Sequence, residues 1–435
     1  MDHSVMAAKI AARPGSAEGP SAKAKSGFLG RVESARGLAA LCVALTHTLG
    51  FLLLADHGGL ALLDRSSARD AAIKVVDGLF NGETAVILFF VISGVVIGRS
   101  LDARRSDLGS FLIRRLFRLY PAHIVATVGI IGLAWLFLMD APLLDFAAYP
   151  GMSPQDIAWL NGESFNPLKL RSVIGTLTMV GWSLNLVLWS LYAEVCAAPF
   201  LPLFHILARK GSRWLDIMIL AALIGLSLIN WHHLWSRYLF VFYLGMMVET
   251  RGLLLARSVE RVLGGSWPAL GLLYLLMVLP NTFAATRTPL VVLLEGLGAF
   301  GVVSVVVRSE GRPALASLDH PLLRWNGRLS YSFYLWHYFI LTVTAHKLYA
   351  SFPAEAMHQF EVPIFIVVSL VTVAIALAIA QLSYIWVELP SIALGHALVD
   401  RLRRISPKRP RATRAISVLP GSLDRDATAT GLKSG

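Results

Sequence analysis

Six ionisable residues stand inside or beside apolar runs of this chain, where a charge is costly and marks function more often than packing. Arg36 and His47 share RGLAALCVALTHTLGF, residues 36–51, eleven residues apart. That spacing is close to three helical turns, so both face one way, roughly 16 Å apart along the axis. SFLIRRLFRLYPAHIV, residues 110–125, carries Arg115 and Arg118 three residues apart, with Arg114 expected on another face. WSLNLVLWSLYAEVCAAPFLPLF, residues 182–204, holds Glu194. GRLSYSFYLWHYFIL, residues 327–341, holds His337 among Ser330, Tyr331, Ser332 and Tyr334.

Each residue type admits a chemical and a plain reading. A neutral imidazole at membrane depth accepts a proton, or locks two helices through a hydrogen bond. An arginine pair at the end of a span anchors topology and touches lipid headgroups, or forks a phosphate with its bidentate guanidinium. Glu194 pairs with an arginine, or binds a hydroxyl or a proton. Glu388 in WVELP, residues 386–390, precedes Pro390, a natural helix stop. Ser93, in FFVISG at residues 89–94, is expected to let helices approach, and Cys42 and Cys196 are expected to pack. No metal is expected, because the histidines lack ligand spacing and His232–His233 has no acidic neighbour. There is also no Gly-rich phosphate loop and no G-x-S-x-G elbow.

The elements that must position these residues are membrane helices. The chain has 435 residues, 56% of them hydrophobic and 15% charged, and a mean hydropathy of +0.63. Those values exclude an ordinary soluble domain. Ten runs approach the roughly 20 residues that a bilayer requires. They cover 36–54, 79–98, 119–139, 184–206, 215–231, 235–249, 267–283, 289–307, 329–349 and 363–386, the sixth and seventh being short. Residues 172–182 read as a re-entrant piece or an extension of the fourth run.

The expected fold is therefore an all-α polytopic bundle of about ten transmembrane helices, with residues 31–392 as the membrane domain. Residues 1–30 and 393–435 read as basic, disordered cytoplasmic tails; the first lacks the apolar core of a signal peptide. The net charge of +12 could suggest nucleic acid, but the basic residues cluster between apolar runs. With the N-terminus inside, the inner flanks hold 31 of the 39 Lys and Arg, which favours both termini in the cytoplasm and argues against a nucleic-acid partner.

Taken in order, Arg36 with His47, FFVISG, the R-x-x-R pair Arg115 and Arg118, WSLYAE ending in Glu194, and LSYSFYLWH ending in His337 resemble the acyltransferase-3 family of integral membrane acyltransferases. The resemblance spans about residues 31–390, and Val95 stands where that family commonly has a bulky aromatic. It implies transfer of an acyl group, usually acetyl from acetyl-CoA, to a hydroxyl of a surface polysaccharide or lipid-linked sugar. It also implies a bacterial cytoplasmic membrane, with acyl-CoA as co-substrate and no bound cofactor. The chemistry fits. A thioester is already activated, so a base, oxyanion stabilisation and positioning suffice. His47 is the expected base, with Arg36 orienting it or holding donor phosphate. Arg115 and Arg118 are expected at the donor, and Glu194 and His337 at the acceptor or a proton path. The rival class is a transporter or flippase with an intramembrane His, Glu and Arg pathway, against which the absence of repeat symmetry counts.

Overall fold

The computed structural model describes residues 20–52, 75–76, 78–104, 107–137, 170–284, 287–352 and 360–405. Among these residues every element is helical, and helices occupy all ten expected segments. In chain order they are α1 (Pro20–Leu52), α2 (Gly82–Arg104), α3 (Leu108–Phe137), α4 (Leu170–Leu177), α5 (Leu188–Ala197), α6 (Leu201–Lys210) and α7 (Arg213–Ile229). Then follow α8 (Leu234–Arg237), α9 (Leu239–Met247), α10 (Leu253–Leu263), α11 (Ser266–Phe283), α12 (Pro289–Arg308), α13 (Pro321–Ser351), α14 (Glu361–Ser383) and α15 (Leu389–Ile405). Among the described residues seven helical rods, α5–α6, α8–α10 and α14–α15 counting as one each, are long and apolar enough to cross a bilayer. The protein is an all-α, multi-pass membrane protein.

Several boundaries differ from the sequence expectation, each for a local reason. The sixth segment is longer than its apolar run, because Leu234–Leu263 continues through a π turn at Val248–Gly252. Helix α3 starts eleven residues before its expected span, so Arg115 and Arg118 lie within helix and not beside it. Its first turn is capped by Asp107, which accepts hydrogen bonds from the Ser110 backbone and hydroxyl. Residues 172–182 are not one continuous helix with the fourth run: α4 ends at Leu177 and Met179 turns the chain with φ 58. The last rod passes residue 392 and stays helical to Ile405, whereas residues 1–19 and 406–435 lie outside the described part. At about 1.5 Å per residue, this rod is roughly twice the hydrocarbon thickness.

The most extensive helix pairing is α1 against α13. It depends on small residues: a Cβ on Gly37 would stand 2.7 Å from the Gly327 backbone nitrogen. Close backbone approach of this kind is how membrane helices associate without a hydrophobic driving force. The same device joins α2 to α9, where a Cβ on Gly94 would lie 2.6 Å from the Phe242 carbonyl. Ion pairs fasten the helix ends. Buried Arg31 bonds Asp319 at 2.7 Å and the Arg312 carbonyl at 2.9 Å, while Arg324 holds the other Asp319 oxygen at 2.8 Å. At the opposite end Arg287 joins Glu83 to fully buried Glu295, 2.9 Å away.

Candidate active site

The α1–α13 pair and three helices beside it, α2, α3 and α5, line a cavity that is partly open to its surroundings. Helix α1 contributes Arg36, α2 Ser93, α3 Arg115 and Arg118, α5 Ser190 and Glu194, and α13 Ser330, Tyr331 and Tyr334. Phe89, Phe90 and Ile92 supply the apolar wall. Sequence distance is large but helical phase aligns these residues, since each projects from the inward face of its own rod.

One ion pair spans the cavity. Glu194 forms an ion pair with Arg115 and accepts a hydrogen bond from the Ser93 hydroxyl at 2.6 Å. Ser93, expected to serve helix approach, is therefore also a polar partner of the site. Arg36 feels Arg118, Glu194, Glu388 and Glu33 as its neighbouring charges. Glu388, read from sequence as part of a helix stop, is buried and accepts a hydrogen bond from Ser332 at 3.1 Å. A π turn over Tyr384–Glu388 brings it round toward Arg118 and Arg36. That extra residue per turn breaks the 3.6-residue phase, so an apolar pattern cannot reveal it.

Tyr334 stands between the cavity and the histidines. Its hydroxyl donates to the Val187 carbonyl at 3.1 Å and sits 2.8 Å from Ser190 Oγ. Its ring lies 6.0 Å from Phe89 on one side and 5.5 Å from His337 on the other. Behind it the two histidines meet, with ring centroids 5.6 Å apart, and His47 makes an edge contact with Tyr338 at 4.8 Å. His337 is completely buried. Its Nδ1 faces the carbonyls of Tyr334 at 2.9 Å and Phe333 at 3.3 Å. Carbonyls only accept, so Nδ1 carries the proton and Nε2 keeps a bare lone pair. That Nε2 is buried with no hydrogen-bond partner among the described residues.

The structure thus sorts the six expected residues into two groups. Arg36, Arg115, Arg118 and Glu194 share the cavity, while His47 and His337 form a pair beyond Tyr334. Glu194 sits with the arginines and not beside the histidines. Arg114, expected to point elsewhere, lines a second cavity together with Arg115 and Arg118. It precedes Arg118 by four residues, one helical turn, which keeps both on a common side.

Helix α4 and the turns that follow it support the pair. Asn185 donates to the Leu335 carbonyl at 2.8 Å, and Tyr120 donates to the Thr178 carbonyl at 3.1 Å. His123 lies 2.9 Å from the Thr176 carbonyl, a buried contact between α3 and α4. Among the described residues no three His, Cys, Asp or Glu side chains converge as a metal site would need.

No curated protein and no solved structure matches this chain. Residues 29–381, most of the chain, match the family model described as an acyltransferase domain, and that match takes in all six residues of the two groups. The chain belongs to the acyltransferase-3 family and is a membrane acyltransferase.

Proposed function

We propose that the protein moves an acyl group, acetyl in the first instance, from acyl-CoA to a hydroxyl of a cell-surface carbohydrate or lipid-linked sugar. The observation that carries this reading is the arginine-lined cavity reaching Tyr334, directly in front of a histidine whose tautomer its own helix fixes. On the charge distribution, the arginine end faces the cytoplasm of a bacterium, where acyl-CoA is made. Donor phosphates meet Arg115, Arg118 and Arg36, and Glu194 holds Arg115 in place through its ion pair.

In the reaction, the acceptor oxygen attacks the thioester carbonyl while His47 takes the hydroxyl proton. The tetrahedral intermediate then expels CoA thiolate, which receives that proton from His47. The new bond is the ester C–O, the broken one is C–S, and no oxidant or reductant is needed. His337 is a positioning residue: its buried Nε2 lone pair makes no hydrogen bond to the described residues, and its ring packs 5.6 Å from that of His47, so a turn of the His47 ring would let it receive the His47 N–H and leave the other His47 nitrogen as base. General-base help of this kind is worth about 10²–10⁴ in rate.

The test pairs two measurements. Purified protein in lipid nanodiscs should bind acetyl-CoA, and a deletion strain should lack an acyl mass on surface polysaccharide or glycolipid. Retention of every acyl mass, together with no binding of acetyl-CoA, would sink the reading and favour a transporter.

A further inference from the structure

A second cavity lies between α2, the first turns of α3, and α15. It shares Val96, Ile97, Arg115 and Arg118 with the first cavity, so the two adjoin at the arginine pair. Its own contributions are Ser100, Phe111, Arg114, Ile392 and His396. Helix α15 is fixed against α3 here, since a Cβ on Gly395 would meet Phe117 at 2.6 Å and Arg403 stands 3.6 Å from Asp107.

The charge balance differs between the two spaces. In the first cavity the arginines face Glu194 and are reached by Glu388. Among the described residues no carboxylate lines the second, which adds a third guanidinium, an imidazole, a hydroxyl, the flat face of Phe111 and the branched chain of Ile392. Guanidinium and imidazole suit a phosphate, and the ring and branched chain suit a purine.

We propose that this second cavity binds the nucleotide end of the donor, with Arg114 and His396 on the phosphomonoester of its ribose and the adenine against Phe111. The inference rests on acyl-CoA being the donor. The diphosphate then lies at the junction on Arg115 and Arg118, and the pantetheine arm threads past Arg36 toward Tyr334. One ligand spans both spaces because the arginine pair belongs to both. The cavity thus selects donors that carry the extra phosphate, and the helix extending past residue 392 forms part of the binding site.

The experiment compares CoA with dephospho-CoA, which lacks only the ribose phosphate, by calorimetry on protein in phosphatidylcholine nanodiscs. The wild type should prefer CoA about tenfold, the equivalent of one charge-assisted hydrogen bond. Arg114→Gln and His396→Gln should each weaken CoA binding and leave dephospho-CoA binding at its wild-type value. Retained dephospho-CoA binding shows that each variant is folded. Equal wild-type affinity for the two nucleotides would overturn the subsite while leaving the acyl-CoA reading intact. Binding of neither would overturn that reading and the subsite with it. If Arg114→Gln instead lowers affinity for phosphatidylglycerol and leaves both nucleotides unchanged, the cavity holds a lipid headgroup and the proposal fails.

Discussion

The histidine pair gives the sharpest expectations at the scale of single residues. His47→Ala should lower kcat by about 10²–10⁴, with protein still accumulating, because one lost polar contact in a membrane bundle costs only about 1 kcal/mol. A folded variant keeping a tenth of wild-type turnover would remove His47 from the base role. His337→Gln should lower kcat less and displace the pH–rate profile, whereas a purely packing role would leave that profile in place. His47 and Arg36 were legible because an ionisable group in an apolar run is rare and conspicuous. Their separation along α1 was legible too, from helical rise alone. The pairing of His47 with His337 was not, because one strand of sequence carries no sign of which helix lies opposite. Tyr334 escaped notice as a divider for the same reason, and Arg114 was misplaced by counting one face too narrowly.

Between helices, stability concentrates at the contacts that set α1 beside α13. Arg31 and Arg324 both bond Asp319, and those guanidinium groups hold its carboxyl below the ordinary aspartate range. A depressed value means that the bond contributes fully above the unfolded-state pKa and is lost as pH falls through the folded one. Asp319→Asn should therefore cost about 1 kcal/mol near neutral pH, since solvent screens the partly exposed carboxyl and Arg31 keeps its bonds to Ser309 and the Arg312 carbonyl. The loss should vanish in acid, where the wild-type carboxyl is itself protonated. Thermal unfolding at several pH values checks this, and a pH-independent difference would assign the defect to packing. The apolar runs foretold the helices well, because bilayer thickness imposes a length that composition must satisfy. The π turn at Tyr384–Glu388 is different: it depends on how α13 and α14 pack, so WVELP reads locally as an ending while the backbone continues into α15.

Topology belongs to the whole molecule, and the distribution of 31 inner against eight outer basic residues predicts its orientation. In a variant lacking Cys42 and Cys196, single cysteines at Gly58, Asn161 and Glu355 should react with an impermeant thiol reagent on intact cells. Cysteines next to Asp107, Ser212 and Asp319 should react only after the membrane is opened. Labelling of the second set on intact cells would reverse or break the ten-segment arrangement. Residues 58, 161 and 355 lie outside the described part of the structure, so the labelling rests on charge alone.

The placement of Tyr334 has a kinetic consequence. On the proposed assignment the donor enters through the arginine cavity, which Tyr334 lines, and the acceptor meets the histidines beyond that ring. An acceptor arriving from the other end neither blocks the donor's route nor waits for CoA to leave. Rates measured at several fixed concentrations of each substrate should give intersecting double-reciprocal lines, the pattern of a ternary complex. Each product should then inhibit competitively against the substrate that shares its doorway, CoA against acyl-CoA and acylated sugar against sugar. Parallel lines would mean that the acyl group rests on the protein between two separate half-reactions, with Tyr334 swinging aside to let it through.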